Sequence, residues 1–273
     1  MKNELLVWYA VLIITGIGVG FASGLLGVGG CFIMIPVQYW VYTSMGLSPK
    51  LAILTAFGTN LAVVLPTAIS GALGHSRKNA VIWKAALLLG ITGAIGAFFG
   101  SSSATMLPAK VLKIAFGVAI LAGAIRMLTA KKAEIGKKPN LSTASLVFWG
   151  ILLGTATGII GGRWSTYGTS YGSNPRFGMR RAVGTSTAVM IFTSAGGLIG
   201  YIVNGLHANV FGQYPVGYMI GYFNLDSWLA LAATSVPMAQ VGVKVAHILH
   251  PKKLKYIFAA VMVYMALKMI GVC

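Results

Sequence analysis

Acidic side chains are almost missing from this sequence: Glu4, Glu134 and Asp226 stand against 21 Lys and Arg. Three carboxylates so widely spread assemble neither a paired general acid and base nor an oxygen-rich metal site. Cysteine is as scarce. Cys31 sits inside an apolar stretch and Cys273 at the far end, a spacing that indicates no metal site and no disulfide framework. A nucleophile elbow, an HExxH pair and a phosphate-cradling Walker loop are also missing. These absences point away from an enzyme, from a bound cofactor or metal, and from ATP-driven work by this chain alone. Charge of either sign is rare as well, at 9% of residues, where a soluble domain averages about 25%. A chain with 57% hydrophobic residues and so little charge cannot wet a surface of its own, so its solvent is largely hydrocarbon.

The apolar residues come in runs. A helix crossing a hydrocarbon core of about 30 Å needs roughly 20 of them. Eight stretches qualify: 5–26, 51–73, 81–99, 111–128, 141–160, 182–203, 228–249 and 256–272. Two shorter segments, 31–45 and 164–179, are marginal, and the second is polar. The first run lacks a cleavage site and is read as a helix rather than a signal peptide. The fold class expected is an all-α polytopic membrane protein. The formal charge of +18 does not read as nucleic-acid binding, because the basic residues cluster in the breaks between runs, where cytoplasmic loops collect Lys and Arg. A basic linker, 130–140, holds Lys131, Lys132, Lys137 and Lys138 and divides the chain into membrane repeats 1–129 and 141–273. With that linker cytoplasmic in a cell membrane, ten crossings place Arg77, Lys78, Arg176, Arg180 and Arg181 inside, and leave the long 204–225 loop without Lys or Arg outside.

The two parts resemble each other. Gly58-Thr-Asn-Leu-Ala-Val-Val sets against Gly184-Thr-Ser-Thr-Ala-Val-Met, Ser23-Gly-Leu-Leu-Gly27 against Thr157-Gly-Ile-Ile-Gly161, and Trp83 against Trp228. Several matches in one order make an internal repeat of about five segments each. An odd number of passes per repeat makes the repeats inverted, a recurrent build for secondary transporters.

Glycine clusters at Gly24, Gly27, Gly29 and Gly30, and at Gly158, Gly161 and Gly162, fall at repeat-related positions. Glycine permits a sharp break, and a helix starting after it offers N–H groups and a partial positive charge to an anion. The competing use is close helix packing through small residues. Thr59-Asn60 and Thr185-Ser186 fall early in their runs, where they either cap the helix or reach a ligand oxygen. Arg163 opens the polar stretch 163–176 and has no acid nearby in sequence. It either faces a cavity and a bound anion or snorkels to the surface. Asp226 reads as a helix cap, and the aromatic loop 214–223 as an interfacial belt.

Gly27-Val-Gly-Gly-Cys-Phe-Ile-Met-Ile-Pro36, Ala56-Phe-Gly-Thr-Asn60 and Ser70-Gly-Ala-Leu-Gly-His75, with second-half echoes at 158–162, 182–186 and 226–228, resemble the TauE/SafE family of membrane transporters. The resemblance implies movement of a small anion such as sulfite, a sulfonate or a related organic acid. Two departures stand out: Cys31, where the family often has glycine, and the polar stretch from Arg163. The candidate substrate-binding set is Gly29, Gly30, Thr59, Asn60, Gly161, Gly162, Arg163, Thr185 and Ser186. The partners expected are the anion, the bilayer and a coupling proton or sodium ion, with room left for a homo-oligomer. A passive anion channel is the alternative within the same class, and a membrane-embedded metal-handling or enzymatic subunit the alternative outside it.

Overall fold

The computed structural model describes residues 2–26, 30–129, 143–162, 179–245 and 251–271. Gly29, Arg163, the linker 130–140 and the segment 164–178 lie outside the described residues. Nine helices are described: α1 (Lys2–Leu26), α2 (Cys31–Ser44), α3 (Pro49–Ser76), α4 (Trp83–Met106), α5 (Ala109–Thr129), α6 (Thr143–Ile160), α7 (Met179–His207), α8 (Leu225–Val245) and α9 (Pro251–Ile270). Each lies within a few residues of an apolar run. Four helical stretches, Pro49–Ser76, Trp83–Met106, Thr143–Ile160 and Gly184–His207, are long and apolar enough to cross a membrane, and Val7–Phe21 and Phe258–Ile270 are shorter apolar helices. Ile14, Ile91, Phe99 and Phe148 are exposed on helix surfaces, as side chains that meet lipid can be.

The expectation of an all-helical chain needs one correction. Between α7 and α8 a small antiparallel sheet forms from β1 (Phe211–Tyr214), β2 (Gly217–Ile220) and β3 (Phe223–Asn224). Gly212, Gly217 and Gly221 adopt positive φ there, a conformation that suits glycine because it has no Cβ. Val216, Met219 and Tyr222 turn inward and are buried, so the segment is a folded cover rather than only an aromatic belt.

Small residues set the main helix contacts. Gly16 of α1 lies against Leu231 and Thr234 of α8, and Gly150 of α6 lies against Leu89 and Thr92 of α4. One turn on, Gly20 meets the backbone of Ser235, and Gly154 meets that of Gly93. Helices approach this closely because glycine leaves the backbone bare, which suits a medium with no hydrophobic drive between helices. The two contacts are alike in kind: a glycine faces a leucine carbonyl and, three residues on, a threonine hydroxyl. Helices α3 and α7 run antiparallel, since Gly71 lies against Thr187 and Gly197 against Leu61.

Candidate functional site

Helix α2 begins at Cys31 directly after Gly30, and α6 ends at Ile160 directly before Gly161. Among the described residues, one helix end thus falls at Gly30 and another at Gly161. Gly30 is buried and precedes the first turn of α2, its carbonyl accepting from the N–H groups of Ile33 and Met34 at 3.1 and 3.0 Å. Gly161 turns with φ of +62° and sits directly on Phe57 of α3. A side chain there would be strained by the backbone and blocked by the ring, so glycine is required. Gly162 lies against Cys31, where an added Cβ would stand 3.3 Å from the sulfur. The two helix ends meet, and the start of α2 faces the turn that follows α6.

Asn60 ties this junction to α3. Its amide nitrogen donates to the carbonyl of Gly161 at 2.7 Å, while its Oδ1 is buried without a hydrogen-bond partner. From the other side the Tyr201 hydroxyl donates to the carbonyl of Gly158 at 2.8 Å. Carbonyls released at the end of a helix need donors, and two side chains from α3 and α7 supply them.

Neither threonine pair caps its own helix. Ser48 caps α3, its side chain accepting from the N–H of Leu51 with Pro49 at the first position, and Thr59 lies well inside. The Thr59 hydroxyl accepts the N–H of Asn224 at 3.0 Å. Thr185, inside α7, accepts the N–H of Ile82 at 3.0 Å. Asn224 and Ile82 are the residues immediately before α8 and α4. Each threonine thus holds the start of a helix from the other part of the chain. Ser186 is also buried.

The structure brings Gly30, Gly161, Gly162 and Asn60 together with Cys31 and Phe57. It does not bring the two threonine pairs together. Thr187 is level with Gly71, twelve residues along α3 from Thr59, or about 18 Å at the rise of an α-helix. Thr59-Asn60 serves the sheet end of the bundle and Thr185-Ser186 the opposite end, which we call the turn end.

Asn224 is a buried polar residue at this joint that the sequence reading passed over. It is fully buried, its amide donates to the Val216 carbonyl at 3.0 Å, and its Oδ1 accepts the N–H of Ser227 at 2.7 Å. It is the cap of α8, a part expected of Asp226. An Asn immediately ahead of an apolar run is the signal that could have found it. Asp226 instead accepts the N–H of Tyr218 in β2 at 2.8 Å. Gln38, fully buried in α2, was legible as a lone polar residue in an apolar run. Among the described residues no group of three or more His, Cys, Asp or Glu could hold a metal ion.

The model of the family described as sulfite exporter TauE/SafE matches residues 12–269. A probable membrane transporter protein of Methanocaldococcus jannaschii is 29% identical, over 99% of this chain and 98% of its own. One of Haemophilus influenzae is 26% identical over 94% of this chain and 96% of its own. One of Bacillus subtilis, YdhB, is 31% identical over 68% and 76%. No solved structure is matched.

Proposed function

The chain belongs to the sulfite exporter TauE/SafE family of membrane proteins, and on that premise we propose that it is a secondary transporter of a small anion, of the sulfite or sulfonate kind. The observation that carries this reading is the meeting of two helix ends inside the bundle, Gly162 on Cys31. Irregular backbone at membrane depth is tolerated only where it is buried in protein or lines a cavity. The start of α2 directs N–H groups and a partial positive charge at that junction. Gly30, Gly161, Gly162 and Asn60 would form one face of the site, and Gly29 and Arg163 border it in sequence. Thr185 and Ser186 join the turn end of the route rather than this junction.

Alternating access between inverted repeats fits the packing. Helix α1 packs on α8 through a glycine against a leucine and a threonine, as α6 packs on α4, with Ser235 on α8 where α4 has Gly93, and α3 crosses α7 antiparallel. The charge rule places the sheet end outside and the linker 130–140 in the cytoplasm.

Purified protein in proteoliposomes should move sulfite, thiosulfate or sulfoacetate with saturation, and should respond to an imposed proton or sodium gradient. Asn60→Leu should lower that flux at least tenfold with the protein still folded. Flux that never saturates and ignores both gradients would make it a channel. Absence of flux for every anion tried would end the transport reading.

A further inference from the structure

Helix α3 is packed unevenly, and the change comes at Pro66. Ala52 to Val63 are all buried, Val64, Leu65, Pro66 and Thr67 are half-buried, and Ile69 and Leu73 are 41% and 54% exposed. A proline inside a helix has no N–H to give, and its ring crowds the carbonyl four residues back, so the helix bends or breaks there. The carbonyl that Pro66 leaves over is that of Ala62. It does not go unpaired: the indole Nε1 of Trp228, in the first turn of α8, donates to it at 2.9 Å. Thr67 adds a local bond, its hydroxyl donating to the Val64 carbonyl at 2.7 Å, and back-bonding of this kind bends helices. A neighbouring helix and a threonine hydroxyl are the means by which membrane helices tolerate proline.

The two halves of α3 are tied to different parts of the molecule. Before Pro66, Thr59 holds the N–H of Asn224 and Asn60 holds the Gly161 carbonyl, which joins this half to the sheet, the start of α8 and the glycine junction. After Pro66, Gly71 lies against Thr187, and the base of the His75 side chain lies against Gly184, which joins this half to the turn end. There Ser70 Oγ also accepts from Gln240 Nε2 of α8 at 3.2 Å. Helix α8 has its own internal proline, Pro237, so both helices carry a proline between the Trp228 tie and the Gln240 tie. Helix α7, which α3 crosses, has no proline. Beside Pro66 runs an apolar groove of about 260 Å³, walled by Leu65, Ile69, Leu198, Phe223 and Trp228, which leaves the second half of α3 room to swing.

We propose that Pro66 is a hinge in α3 and that the indole N–H of Trp228 is its latch, so that the second halves of α3 and α8 swing together at the turn end while the glycine junction stays in place. The inference rests on the transport reading and supplies the moving part that alternating access requires. One neutral hydrogen bond is a weak hold, so the latch can open and close within a transport cycle. Phe223 of β3 stands edge-on to Trp228 with ring centroids 6.1 Å apart, so a movement of the sheet reaches the latch directly.

Pro66→Ala restores the missing N–H, and Trp228→Phe keeps a ring in place while removing the donor. In proteoliposomes of the full-length chain, Pro66→Ala should lower the maximal flux of sulfite or thiosulfate about tenfold. The same variant, purified, should melt at or above the wild-type temperature, because a stiffened helix is slower without being weaker. Trp228→Phe should lower the melting temperature by about 2–4 °C. In the Pro66→Ala background it should cost nothing measurable, because the Ala62 carbonyl then has a helical partner. Wild-type maximal flux in a folded Pro66→Ala variant would overturn the hinge and leave the transport reading standing. A marked fall in the melting temperature of Pro66→Ala would also overturn it, since the proline would then serve packing. Equal melting losses from Trp228→Phe in both backgrounds would overturn the latch. Wild-type protein that moves no anion would remove the transport reading and the hinge with it, and the melting comparison would still decide the latch.

Discussion

The two ends of the bundle are closed by one joint used twice and finished differently. At the sheet end Thr59 accepts the N–H of Asn224, and at the turn end Thr185 accepts the N–H of Ile82, both at 3.0 Å. The glycine before each threonine lies under a backbone carbonyl and the base of a side chain: Gly58 under Tyr222 and Tyr201, Gly184 under Ala80 and His75. Glycine gives the close approach and threonine takes an N–H that the start of a helix leaves over. What each connection does beyond the joint is free. Residues 77–82 make a short turn, whereas residues 208–224 build a three-stranded sheet that covers buried polar groups. The joint is architecture, and the cover is where the two ends specialise.

Breaking the joint itself should have the largest effect. Gly58→Leu and Gly184→Leu each push a side chain into a backbone carbonyl, an overpacking that costs about 3 kcal/mol or more. Both should fall out of the folded fraction after detergent extraction, and a well-folded Gly184→Leu would show that the turn end lacks the tight joint. Next comes Asn224→Ala, which deletes a helix cap and the bond to Val216. It should cost about 2–3 kcal/mol, read as a drop in melting temperature. Its counterpart Ile82→Ala should cost less, about 1 kcal/mol, because the Ile82 side chain makes no cap bond. Equal losses would erase the difference drawn between the two ends. Thr59→Val and Thr185→Val should each cost about 1–2 kcal/mol, by leaving one N–H unpaired.

Much of this was legible in the residues, for identifiable reasons. The helices follow from runs long enough to cross hydrocarbon, and the helix ends at Gly30 and Gly161 follow from glycine clusters, because those signals are local. The partnership of Asn60 with Gly161 was not legible, since 101 residues separate them. Treating Thr59-Asn60 and Thr185-Ser186 as one pocket overlooked a consequence of antiparallel packing. When like helices cross head to tail, like positions move to opposite ends. The sheet escaped notice because its strands are two to four residues long and rich in aromatics and glycine, a composition shared with interfacial loops.

The smallest effect sharpens the comparison by charge. Asp226 is the second residue of α8 and Lys84 the second residue of α4, so the equivalent helix starts carry opposite signs. The start of a helix favours an anion by about 0.3–1 kcal/mol, which makes Asp226 helpful and Lys84 slightly adverse. The Asp226 carboxylate also accepts the Tyr218 N–H at 2.8 Å and lies against Gly217, which pins β2 to the helix it precedes. Asp226→Asn keeps an acceptor in place and loses only the charge, so it should lower the melting temperature slightly, by about 1 kcal/mol or less. Lys84→Gln should raise it by a few tenths. Transport should survive both. If Asp226→Asn abolished transport while the protein stayed folded, the carboxylate would be acting on a proton or an ion in the cycle. The sheet end would then differ from the turn end in chemistry and not only in its cover.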